Sequence, residues 1–142
     1  MSSPTHADGP ASPVSRLEHR DRVERAYPAA VIHAGVVYPC GQVPVDADGA
    51  TPSTLADQVR LVLDNLDATL RRAGSDLSLI LSLTVYLDDP VGFAEYDAAY
   101  REVFADRPRP PRTTVFVAAF RGAKRIELTA TAAVGTALES DL

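Results

Sequence analysis

Leu79-Ile80-Leu81-Ser82-Leu83-Thr84-Val85-Tyr86-Leu87, running straight into Asp88-Asp89-Pro90, is the stretch that decides the fold. Leu81, Leu83, Val85 and Leu87 alternate with Ser82, Thr84 and Tyr86, the period-two pattern of a half-buried strand. Asp88-Asp89-Pro90 then supplies a capping carboxylate and a proline suited to a first helical turn. The spacing predicts a helix over 91–104, with Phe93, Tyr96, Tyr100 and Phe104 turned inward.

Upstream, residues 54–72 form the clearest helix. Leu55, Val59, Val62, Leu63, Leu66 and Leu70 recur at three- and four-residue spacing and make one apolar stripe. Ser53 or Thr54 caps its start, Arg71 and Arg72 suit the negative end of its dipole, and Gly74 ends it. Before it, Val31-Ile32-His33 and Val36-Val37-Tyr38 flank an Ala34-Gly35 turn and read as a hairpin. Val43-Pro44-Val45 continues extended into an Asp46-Ala47-Asp48-Gly49 turn. Residues 1–26 read as a flexible leader, rich in Ser, Thr, Gly and Pro at first and then charged without a clear period. Order is expected to begin near Tyr27.

Downstream, Arg107-Pro108-Arg109-Pro110-Pro111 is a stiff loop feeding a strand over 113–120. Arg121-Gly122-Ala123-Lys124 turns the chain into a last strand over 125–134, and 136–142 reads as a tail. The order is β-β-α-β-α-β-β, an α+β domain over 27–135 with two helices on one face of a mixed sheet. The uncovered sheet face predicts self-association.

Two residues in this half carry chemistry. Pro110-Pro111 hold the chain extended before Arg112, and a guanidinium at a strand's mouth suits bidentate capture of a carboxylate. Glu127, between apolar Ile126 and Leu128, is expected on a neighbouring strand, orienting a water or a proton. The pair points to chemistry on a small carboxylic acid.

At 142 residues, 46% hydrophobic and 23% charged, the chain is long enough for one core without disulfides. A net charge of -5 argues against a nucleic-acid platform. No apolar run approaches a membrane span, and the N-terminus lacks the marks of a signal peptide. A single cysteine, Cys40, fits a reducing cytoplasm, and His6, His19 and His33 show no metal-ligand spacing.

The chain resembles the RidA/YjgF family of imine and enamine deaminases. The residues that carry the likeness are Gly41-Gln42-Val43-Pro44-Val45-Asp46, Gln58, Asn65-Leu66, Thr84-Val85-Tyr86-Leu87, Tyr100, Phe104, Pro111-Arg112-Thr113-Thr114-Val115 and Ile126-Glu127-Leu128. They are collinear over residues 27–134. The resemblance implies a chorismate-mutase-like fold and a homotrimer with sites in the clefts between subunits. It also implies hydrolysis of 2-imino or 2-enamino acids, such as 2-aminoacrylate and 2-iminobutanoate, to 2-keto acids and ammonia, with no metal or organic cofactor. Arg112 falls on the family's carboxylate-binding arginine and Glu127 on the glutamate that helps place the attacking water. Tyr27 aligns with a tyrosine bordering the pocket, and Cys40 with a pocket-wall position often held by serine. Thr114 stands where many members have cysteine, and its backbone is the better candidate for substrate contact.

Three departures bear on specificity. Ala26-Tyr27-Pro28-Ala29 replaces the usual Pro-Tyr-Ser-Gln, Asp97 falls near a position commonly asparagine, and the loop before Arg112 is shorter. Read locally, Asp97 is a helix-face charge, Cys40 a small apolar residue rather than a nucleophile, and His33 a hairpin surface residue. The alternatives are the same fold acting on a specialised pathway imine, or a non-catalytic trimer that binds small metabolites or acts as a chaperone. A ribonuclease reading is disfavoured by the acidic charge.

Overall fold

The computed structural model describes residues 13–135. Its elements are β1 (Ser15–Leu17), β2 (Ala30–His33), β3 (Val36–Pro39), α1 (Leu55–Arg72), β4 (Ile80–Leu87), α2 (Phe93–Val103), β5 (Arg112–Phe116) and β6 (Ile126–Ala133). The residues before 13 and after 135, which hold most of the expected leader and the whole tail, lie outside the described residues.

The strands form one mixed sheet in the order β1-β2-β3-β6-β4-β5. β4 and β5 run parallel, joined by α2 as a crossover, and every other pair is antiparallel. α1 lies over β3 and β6 and packs against α2, so both helices cover the same face. This is the expected α+β, chorismate-mutase-like arrangement.

α1 forms where its stripe predicts. Thr54 accepts a hydrogen bond from the Asp57 backbone N–H, a cap worth about 1 kcal/mol. Leu55, Val59, Val62, Leu63, Leu66 and Leu70 are all buried, each contributing roughly 1.5–3 kcal/mol against exposure. They meet Val37, Leu83, Val85, Leu87, Ile126 and Leu128 from the sheet and Tyr96 and Phe104 from α2.

Several boundaries differ from expectation. The sheet begins at β1 rather than near Tyr27: Ser15, Arg16 and Leu17 pair with Ile32, Val31 and Ala30. Three residues carrying one apolar side chain give too little alternation to read. In β4, Leu81 is not on the core face; it is 49% exposed while Ile80 is buried. The ladder jumps from Ile80–Ala132 to Ser82–Thr131, so Leu81 is the extra residue of a bulge and is turned out. β5 stops at Phe116, short of 120. The segment 91–92 belongs to a 3-10 turn, Pro90–Gly92, capped by Asp89, and α2 starts at Phe93. Phe93 is 38% exposed rather than fully inward.

The largest topological difference concerns β5 and β6. They are not neighbours, because β4 lies between them.

Candidate active site

Register decides which way the site residues point. Arg112 and Thr114 pair with Leu83 and Val85, whose side chains are buried under the helices. Arg112 and Thr114 therefore face the helix layer at the sheet's edge. Glu127 pairs with Tyr86 and alternates with buried Ile126 and Leu128, so it faces the uncovered side. Two strand spacings and a three-residue offset separate their Cα atoms by roughly 14 Å. One copy of the chain does not bring Arg112 and Glu127 together.

Arg112 sits in a cradle built by α2. Its guanidinium carbon lies 4.6 Å from the Tyr100 ring centroid, 5.0 Å from Tyr96 and 5.9 Å from Phe93. Nη1 donates to Asp97 Oδ1 at 2.9 Å. The other carboxyl oxygen of Asp97 accepts from Arg101 Nε at 2.8 Å. Arg101 above all, and Arg112 with it, hold the Asp97 carboxyl below its ordinary value, against a burial that pushes the other way. The Arg112 side chain keeps 22% of its surface exposed, and its remaining N–H donors have no partner among the described residues. A fixed, aromatic-backed cation with free donors suits a carboxylate.

Thr114 joins this cluster through its side chain. Its hydroxyl shares a 2.9 Å hydrogen bond with the Tyr96 hydroxyl. Asp97 is likewise more than a helix-face charge, since it grips Arg112. Spacing could have revealed the role of Asp97, because Phe93, Tyr96, Asp97 and Tyr100 share one helical face; the Thr114 contact joins two elements and has no local signal. Burial pushes the Tyr96 phenol up and the Tyr100 phenol to about 12.

Glu127 belongs to a different cluster. The Gln42 and Leu128 backbones exchange hydrogen bonds of 2.8 and 3.0 Å, which lays Gly41 against Glu127. The approach is close: a Cβ on Gly41 would lie 2.5 Å from Glu127 Oε2. Asn65 of α1 fixes the following segment by donating to the Val43 and Val45 carbonyls. Tyr27, Cys40, Gly41, Val43, Phe120 and Glu127 line a cavity of about 660 Å³.

Tyr27 is 54% exposed and meets His19 edge-to-face at 5.4 Å, while the His19 ring nitrogen contacts the Tyr27 carbonyl oxygen at 2.8 Å. Cys40 is half-buried. Burial pushes its thiol up, which keeps it neutral and fits a wall rather than a nucleophile. A second cavity of about 550 Å³ lies between the N-terminal arm and α1, and Cys40 and Tyr27 border it too.

The chain between residues 18 and 134 matches the family model described as Endoribonuclease L-PSP. The chain belongs to the RidA/YjgF family. Among relatives, it is 37% identical over 89 residues to the mitochondrial protein mmf2 of Schizosaccharomyces pombe, spanning 63% of this chain and 70% of that one. It is 31% identical over 109 residues to the Escherichia coli protein named "Putative reactive intermediate deaminase TdcF", covering 75% and 84%. The solved structure of Escherichia coli TdcF with bound serine superposes with a TM-score of 0.74 at 27% identity, covering 88% of this RidA/YjgF chain and 98% of TdcF. Among the described residues no helix is long and apolar enough to cross a membrane.

Proposed function

We propose that this RidA/YjgF chain hydrolyses small 2-imino or 2-enamino acids to 2-keto acids and ammonia, at sites completed between copies of a homotrimer. Arg112 of one copy takes the substrate carboxylate through a fork of charge-assisted hydrogen bonds. Glu127 of a neighbouring copy orients water against the imine carbon. A C–O bond forms as water adds and its proton passes, by way of Glu127, to the substrate nitrogen. The carbinolamine hydroxyl then gives up its proton to the nitrogen, again by way of Glu127; the C–N bond breaks, ammonia leaves and the C=O bond forms. Imines hydrolyse readily without help, so positioning supplies enough. A cytoplasmic setting is part of this proposal, resting on the single cysteine, Cys40.

The single observation that carries the reading is the separation of the two residues. Each has a prepared environment, yet they occupy opposite faces of one sheet, so a small acid meets both only across an interface. Apolar Tyr38 and Val115, exposed on the uncovered face, and the bulged Leu81 support such an association. The name of the TdcF relative supports the reaction class. A non-catalytic trimer would have no use for this pair, and a net charge of -5 opposes a nuclease.

The test generates imines in situ with an amino-acid oxidase or threonine dehydratase and traps survivors as semicarbazones. Wild type is expected to suppress trapping. Arg112→Ala is expected to lose about 10²-fold or more in kcat/KM, the value of two charge-assisted hydrogen bonds. Undiminished trapping with several imino acids would contradict the deaminase reading.

A further inference from the structure

The cavity beside Glu127 carries more positive charge than a monocarboxylate needs. Besides Glu127, its charged lining residues are Arg121 and Lys124, on the loop between β5 and β6. Neither makes an ion pair or a side-chain hydrogen bond among the described residues, so both charges stay available on the cavity wall. Lys124 is half-buried and does not close on Glu127. Two cations and one acid leave this wall with an excess of one positive charge.

The loop that presents them is held in place. Gln58 of α1 is buried and donates to the Ala123 carbonyl at 3.1 Å, while its side-chain oxygen accepts from the Arg125 N–H at 2.8 Å. Arg125 Nε reaches Asp88 at 3.3 Å. Lys124 thus lies between two anchored backbone positions, which fix where its side chain leaves the loop.

We infer that the substrate of this site carries a second anionic group, and that Lys124 with Arg121 receives it: the site takes the 2-imino derivative of a dicarboxylic amino acid of four or five carbons. The inference rests on the reading above, in which Arg112 of the neighbouring copy holds the carboxylate next to the imine. The second carboxylate then extends past Glu127 to Lys124 and Arg121.

The test separates this inference from turnover by measuring product binding. Calorimetric titration compares 2-oxoglutarate with 2-oxobutanoate at fixed low salt, for wild type, Arg121→Gln/Lys124→Gln and Lys124→Arg. 2-Oxoglutarate is expected to bind wild type roughly tenfold more tightly, the value of one charge-assisted contact. The double variant should erase that advantage and Lys124→Arg should keep it. Equal affinities in wild type, or an advantage that survives in the double variant, would overturn the inference. A double variant that changes only the assembly state by light scattering would also overturn it, assigning the cations to a subunit contact. The semicarbazone assay on glutamate-derived and 2-aminobutanoate-derived imines runs alongside. Selective binding without hydrolysis of either imine would defeat the deaminase reading and leave the dicarboxylate site standing; hydrolysis without selectivity would do the reverse.

Discussion

The edge of the sheet around Arg112 and the open face around Glu127 are built on opposite plans. Arg112 is surrounded before any substrate arrives: three aromatic rings lie beneath it, Asp97 fixes one nitrogen and Arg101 fixes Asp97. Its orientation is settled within the folded chain, which lowers the ordering cost of binding a carboxylate. Glu127 instead makes no side-chain hydrogen bond among the described residues, and glycine at position 41 leaves room for its carboxyl group. One region is a finished half-site, and the other is a walled cavity with one reactive group in it. The contrast shows one charged group ordered by its own fold and another left unpaired among the described residues, which is what the proposed shared site requires.

The largest effect is expected at the open face. Gly41→Ala puts a methyl group where Glu127 Oε2 now lies, and the flexible carboxyl end must swing aside. The fold should hold to within about 1 kcal/mol, because a side-chain tip yields and not a backbone. Activity is expected to fall about tenfold or more, as misplacing a catalytic group by an ångström is costly. Parallel urea titration and imine turnover check it; a stability loss with normal turnover would count against Glu127.

A smaller effect is expected at the edge. Asp97→Asn keeps a hydrogen-bonding oxygen for Arg112 but removes a negative charge beside the substrate carboxylate. KM for a monocarboxylate imine should drop severalfold, about threefold being typical of a partly screened charge. The same variant has a pH signature. The Asp97 carboxyl is lowered from its ordinary 3.8, so its stabilising contribution is present above that value and lost as pH falls through the lowered one. The stability difference between wild type and Asp97→Asn should therefore shrink in acid and stay level from pH 5 upward, as urea midpoints against pH would show.

The smallest effect belongs to Tyr100→Phe. The Tyr100 hydroxyl is buried without a hydrogen-bond partner, while its ring lies under Arg112. Removing the hydroxyl should be neutral or stabilising by up to about 1 kcal/mol, since a buried unsatisfied group is lost and the ring stays. Thermal denaturation tests it, and a marked loss of stability would mean the hydroxyl has a partner.

The halves of the molecule were unequally legible in the sequence. The stripe of α1, its Thr54 cap and the alternation in β4 are local patterns, and the structure follows them. Leu81 broke the alternation because a bulge depends on the partner strand, where Ser82 follows Ile80 across adjacent residues of β6. β1 carries too few residues to pattern. The adjacency of β5 and β6 misled for a related reason: the turn at Arg121–Lys124 looks like a hairpin, but the βαβ crossover through α2 puts β5 on the far side of β4. Arg112 and Glu127 were recognisable by residue type and family position. Their partition between two faces was not, because strand order is a long-range property that neither stretch encodes locally.

The most direct test of the shared site is complementation. Arg112→Ala and Glu127→Gln chains, each inactive alone, are unfolded, mixed in equal amounts and refolded together. If each site takes Arg112 from one copy and Glu127 from another, random assembly restores roughly a quarter of wild-type turnover. Recovery at that level is the predicted result; mixed assemblies as inactive as either parent would contradict a site divided between copies.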